Sequence, residues 1–254
     1  MLSFLRFLFK KDSKNKLPPN EAVNNLTDDN NFSVKEKNLS RILFKEATQL
    51  KKENQYGAAC RKLEEAFSAA SDDEIVLKDR MRLPMYLQLA GKNDEAWQAF
   101  NELNVTYIDV FSQAELANQM RIFLQKEKNF RHALLFESWA ICKELVRDNM
   151  NIFRIHENAD MYSSMGLKIN FDEKTPLGYT KKGNPIFDSS LRMFEDRISS
   201  AKSSEVVEKR IERLVSKSNM KGSCLEIAST LSNYLSTNEE YKLDEVKNIL
   251  QKFD

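Results

Sequence analysis

Glycine and proline are both scarce, at six and five residues in a chain of 254. Sandwiches, barrels and glycine-rich nucleotide-binding sheets need such residues at their turns, so the shortage favours helices. Cysteine is sparse as well. Cys60, Cys142 and Cys224 lie about 80 residues apart with no Cys-x-x-Cys pair, which reads as free thiols in a reducing, cytoplasmic compartment. Only two histidines, His132 and His156, are present for metal or acid–base chemistry. There is no excess of one charge: 39 Lys and Arg face 38 Asp and Glu. That balance argues against global attraction to nucleic acid or an anionic membrane. No phosphate-binding glycine loop, no Gly-x-Ser-x-Gly elbow and no workable Cys–His pair occurs. The chain therefore reads as a non-enzyme with no cofactor.

What remains is the composition of a globular protein, 41% hydrophobic and 30% charged. Its length allows one large domain or two small ones and a core that needs no disulfide. Residues 1–11, MLSFLRFLFKK, form a short apolar-basic segment. It has about half the ~20 residues a spanning helix needs, and its charges follow the apolar run, the wrong order for a signal peptide. Two readings stand. Leu2, Leu5 and Phe9 insert into a membrane surface while Arg6, Lys10 and Lys11 face headgroups, or the segment docks on its own protein or a partner or stays mobile. Residues 12–38, polar and carrying Pro18-Pro19, read as a flexible linker.

A period of 37 follows. Ala59, Ala96 and Ala133 keep that interval, as do Leu50, Leu87 and Leu124. Leu63 and Phe100 match, with Glu137 as the odd third member; Tyr56 and Phe130 match, with Asn93 between them. Each unit reads as a helix, a polar turn (ENQ, GKND, EKN) and a second helix whose early alanine permits close approach. A single such hairpin cannot bury its apolar face alone, so neighbours must stack.

Over about residues 39–166 this pattern resembles the tetratricopeptide repeat (TPR) family. The middle unit, LQLAGKNDEAWQAF, matches best, with Gly91 in the turn followed by Ala96 and the aromatic Phe100. The family repeat is about 34 residues, so three extra residues imply longer loops or helices. The family's Trp and Gly of the first helix are missing. The small position of that helix holds Ala47, then Pro84, then Arg121. Pro84 requires a helix that is either kinked there or short and starting near it. A fourth first-helix is expected at about 151–166.

The resemblance implies that successive first helices line a groove where a ligand sits. In register, the first row is Arg41, Phe44, Lys45, Thr48 and Lys51. The second is Lys78, Met81, Arg82, Met85 and Gln88, and the third is Glu115, Asn118, Ile122 and Gln125. Cations mixed with Phe and Met suit a protein or peptide partner carrying acidic groups and an apolar anchor. The alternative is a groove filled by the chain's own terminal helices.

Further on, Lys181-Lys182-Gly183-Asn184 is a turn signal flanked by apolar residues, and residues 167–188 read as a β-hairpin insertion. Residues 189–254 read as a helical unit. Val206, Val207, Ile211, Leu214 and Val215 mark one helix, Leu225, Ala228, Leu231 and Leu235 a second beyond Gly222, and Leu243, Val246, Ile249, Leu250 and Phe253 a third, with a further helix at about 188–201; the unit either caps the repeat stack or stands partly apart. The expected fold is mostly α: a TPR-like helical-hairpin stack with a small β-hairpin insertion and a helical C-terminal unit. Two weaker signals are set beside it. Ile155-His156-Glu157-Asn158-Ala159-Asp160 resembles a broken zinc-protease motif, with Asp160 where the second His belongs. Residues 192–221 carry Arg192, Arg197, Lys209, Arg210 and Arg213 among acids. They read either as a solvated face of paired charges or as a helix–Gly–helix nucleic-acid module.

Overall fold

The computed structural model describes residues 28–70, 75–164, 178–179, 185–186 and 190–254. Its three N-terminal turns close in the same way. Helix α1 (Asp28–Lys52) turns into α2 (Tyr56–Ser68). A short α3 (Leu77–Arg80) leads into α4 (Arg82–Leu89), which turns into α5 (Asn93–Thr106). Helix α6 (Val110–Lys126) turns into α7 (Phe130–Ser164). At each turn one residue is left-handed: Asn54 at φ 60°, Gly91 at 76° and Lys128 at 58°. The next amide donates to the carbonyl five residues back, Gln55 to Leu50 at 2.9 Å, Lys92 to Leu87 at 2.9 Å and Asn129 to Leu124 at 3.0 Å. These bonds satisfy carbonyls that a helix C-terminus otherwise leaves open. The period of 37 is thus a repeated backbone turn as well as a repeated pattern of side chains.

The hairpins pack in sequence. Helix α1 pairs with α2, α4 with α5 and α6 with α7, while α2 lies on α4 and α5 on α6. Ala59, Ala96 and Ala133 are all fully buried early in the second helices. A larger side chain there would force the paired helices apart. Helix α4 begins at Arg82, so Pro84 stands in its first turn, where the missing N–H has no intrahelical acceptor to lose. Of the two accommodations expected for Pro84, the short helix is the one formed.

After α7 come α8 (Ser190–Ala201), α9 (Ser204–Ser218), α10 (Cys224–Thr237) and α11 (Leu243–Gln251). Helices α8, α9 and α11 pack along α7, and α9 pairs with α10. Val207, Ile211, Leu214, Ile227 and Val246 share one continuous core with Ala140 and Leu145. Gly222, at φ 102°, carries the chain from α9 to α10 where a Cβ would meet the Phe253 ring at 2.9 Å. The Lys221 amide donates to the Phe253 carbonyl at 2.6 Å, which ties the chain end to this turn.

Three expectations are corrected. The fold is all-α, with 82% of the described residues helical, and the β-hairpin insertion does not stand. Only a two-residue antiparallel pairing, Gly178–Tyr179 against Pro185–Ile186, is formed there. Two residues a side make no sheet layer, and the Lys181–Asn184 turn itself lies outside the described residues. The flexible linker expected for 12–38 gives way to helix from Asp28 onward, while residues 12–27 of that expectation lie outside the described residues. The fourth first-helix is instead the continuation of α7, which runs unbroken for 35 residues. No left-handed residue interrupts it, and α8, α9 and α11 pack along it.

Lys128 holds the left-handed position that glycine holds in the middle turn. A left-handed L-residue costs about 1–2 kcal/mol, so Lys128→Gly is expected to raise the melting temperature by about 2–4 °C, read by circular dichroism. A second expectation concerns alkali. Tyr234 donates to Glu245 at 2.9 Å and Tyr241 to the Leu235 carbonyl at 2.9 Å. Burial pushes both phenols up to about 12. Their stabilisation is fully present below the unfolded value of about 10 and is lost as pH rises through the folded one. Stability should therefore fall between pH about 10 and about 12. In a spectrophotometric titration these two of the seven tyrosines should ionise late. Full ionisation of all tyrosines near pH 10 in the folded protein would contradict this.

Candidate functional site

The first helices α1, α4 and α6 carry the residues expected to line a groove, and the structure divides them into two sets. One set builds the stack. Arg82 on α4 donates to the Phe44 carbonyl at 3.0 Å and to the Thr48 hydroxyl at 2.7 Å on α1. Its guanidinium lies over the Phe44 ring at 5.3 Å and pairs with Asp79 at 3.5 Å. Gln88 donates to the Phe123 carbonyl at 3.0 Å and to Glu127 at 2.7 Å on the next hairpin. Asn118 and Gln125 accept from Arg121 at 2.7 Å and 3.0 Å. Met81 is 3% exposed and belongs to the core. Phe44, Thr48, Asn118 and Ile122 are half-buried.

The other set faces solvent. Arg41, Lys45, Lys51, Lys78 and Met85 are exposed, as is Glu115 in the third row. Among the described residues the four cations make no ion pair. Arg41 and Lys45 thus lie one turn apart on α1, Lys51 stands near its C-terminal end, and Lys78 and Met85 are on the next hairpin. Arg82 is not free to join them.

A polar cluster not anticipated as a unit joins the hairpins to the C-terminal helices. The Glu137 side chain, 7% exposed, accepts from Arg121 Nε at 2.8 Å and from Arg210 Nε at 2.7 Å. Arg210 also reaches Glu144 at 2.6 Å. Burial disfavours the Arg210 charge, but the Glu144 hydrogen bond and the neighbouring carboxylates more than offset it and raise its pKa. The sequence carried a signal: Arg121 and Glu137 are the residues that break their repeat columns, and they break them together. Sequence alone puts Arg210 in the mixed-charge stretch 192–221, read as a solvated face of paired charges or a nucleic-acid module. Other cations of that stretch are engaged too. Arg197 pairs with the buried Asp148 at 3.1 Å and Lys209 with Glu205 at 2.7 Å. Lys217 lies 5.1 Å over the Phe130 ring. A cleft of about 550 Å³ between α7, α8 and α9 is lined by Leu145, Met193 and Val206 and by these already paired charges.

Chemistry of other kinds finds little footing. His156 and Glu157 are exposed on α7, and among the described residues no three His, Cys, Asp or Glu side chains are placed to hold a metal. All three cysteines are free. Burial pushes the Cys60 thiol up to about 11 and Cys142 up to about 12, and raises Cys224. Such thiols stay protonated at neutral pH and make poor nucleophiles. Among the described residues no helix is long and apolar enough to cross a membrane. Compared with protein families, curated proteins and solved structures, the chain matches none.

Removing Glu137 strands a half-buried guanidinium. Glu137→Leu is expected to cost about 3 kcal/mol in a denaturant titration. Adding Arg121→Ala removes the stranded charge and should recover part of that loss. Equal loss in the single and double variants would show that the Arg121–Glu137 pair is not the relevant interaction.

Proposed function

We propose that this chain is a non-catalytic, TPR-like interaction module, an adaptor or scaffold of the cytoplasm. It holds a partner protein or peptide against the exposed side of α1 and α4. One observation carries the reading. Arg41, Lys45, Lys51 and Lys78 are solvent-exposed and without an ion pair among the described residues, and Met85 of α4 is exposed as well. Unpaired cations around a flexible apolar side chain suit an acidic segment with one apolar anchor. The charges steer and register it, while Met repacks around the anchor. The repeated turns and buried alanines support the TPR-like reading, and the free, protonated thiols support a reducing compartment. No observation favours nucleic acid, since Arg197, Lys209 and Arg210 are already paired within the protein.

The test is affinity capture from native cells, followed by direct titration of the captured partner. The wild type runs beside Lys45→Glu/Lys78→Glu, both exposed positions. Arg82 is left intact because it ties α4 to α1. The variant should keep its melting temperature and lose about tenfold or more in affinity, and raised salt should weaken the wild-type complex. Equal affinity of both proteins for the partner would defeat the proposal.

A further inference from the structure

Helix α8 buries less than any other helix of the fold. Among the described residues every other helix contributes at least one buried side chain, whereas none of residues 192–201 is buried. Met193 is exposed, and Phe194, Ile198 and Ala201 are half-buried. Helix α9, next in the chain, buries Val207, Ile211 and Leu214. The ion pairs divide in the same way. Arg197 of α8 is 46% exposed and pairs with the buried Asp148 of α7 at 3.1 Å. Asp148 also pairs with Arg147 of its own helix at 3.2 Å, so it keeps a cation when Arg197 leaves. Arg210 of α9 is 28% exposed and spans two carboxylates, Glu137 and Glu144. The cleft of about 550 Å³ between α7, α8 and α9 is lined by Leu145, Met193 and Val206, and side chains that face a cleft forgo packing contacts on that side.

We infer that α8 is a latch. It swings off α7 as a unit, about its junction with α9, while the hairpins and α9–α11 stay folded. Elements with few buried apolar contacts open far more often than the core around them, and α8 is that element here. The junction supplies the pivot. The Ser232 hydroxyl of α10 donates to the Lys202 carbonyl at 2.5 Å, which pins the chain where α8 ends. Opening uncovers Leu145 and Val206 beside the Arg210–Glu144 pair, an apolar strip that the closed latch holds out of reach. The device is separate from the cationic side of α1 and α4, because α8 packs on α7 and α9.

The test is hydrogen exchange of the full chain, read by mass spectrometry on fragments that resolve α8 from α9. Amides of residues 194–201 should exchange about 100-fold or more faster than those of residues 208–214, yet more slowly than in the denatured chain. Arg197→Ala should speed exchange in α8 by about threefold to tenfold and leave α7 and α9 unchanged. Salt at about 1 M should act on the wild type in the same direction. Val206→Cys reports the uncovering: alkylation at position 206 should speed by the same factor when Arg197→Ala is added. Exchange of α8 in step with α9 would show that the two helices open together, and exchange of α8 at the denatured rate would show that no closed state exists. Either result overturns the inference, as does Arg197→Ala leaving both α8 exchange and alkylation at position 206 unchanged.

Discussion

The Glu137 carboxylate sits inside the third hairpin, and the architecture on either side of it follows from its need for cations. A buried carboxylate without partners is costly enough to unfold a marginal protein. Arg121 reaches it from α6 and Arg210 from α9, at 2.8 and 2.7 Å. One arginine comes from inside the hairpin stack and the other from the C-terminal helices, so neither unit can leave without stranding charge. That explains why the C-terminal unit shares a core with the stack instead of standing apart. It also accounts for the 35-residue length of α7. The helix serves first as the second helix of a hairpin and then as the surface on which α8, α9 and α11 assemble.

The same logic runs through the irregular members of the repeat. Asn93 interrupts the Tyr56 and Phe130 column, and its side chain donates to Glu127 across the next turn. Glu127 also accepts from Gln88 at 2.7 Å, so the second and third hairpins are joined by polar bonds where the first turn carries an aromatic. Pro84 replaces a small residue and fixes the start of α4. Each departure is compensated by a partner residue or by backbone position. Each compensation specifies which hairpin packs on which, a role that uniform apolar columns fill less well.

These pairings set the limit of what could be read from the sequence. Helix positions, turn positions and the alanine column were legible, because periodicity and turn chemistry are local and recur at 37-residue intervals. The left-handed backbone at Asn54 and Lys128 was hidden, since only Gly91 advertises it. The end of the repeat was misjudged near residues 151–166. Apolar spacing there fits a continuing helix as well as a new one, and only packing against α8, α9 and α11 decides between them. The cations of the groove are legible by register alone, which locates a side chain on a helix face but not its partner. Arg82 and Gln88 are used up by neighbouring helices, while Lys45 and Lys78 are not. That difference lies in contacts 34 to 39 residues apart in sequence, beyond the reach of any local pattern.

Helix α1 presents different residues on different sides. Arg41 and Lys45 face the exposed side that would take an acidic partner, Leu39 and Ile42 face the open end of the stack, and Phe44 and Thr48 face α4. The three sides belong to one stretch of one helix. The repeat interior differs, because α4 and α6 each have a helix covering the side that α1 leaves open. The exposed cations and apolar residues of α1 thus lie in the first hairpin, and the buried Glu137 cluster joins the third to the C-terminal helices.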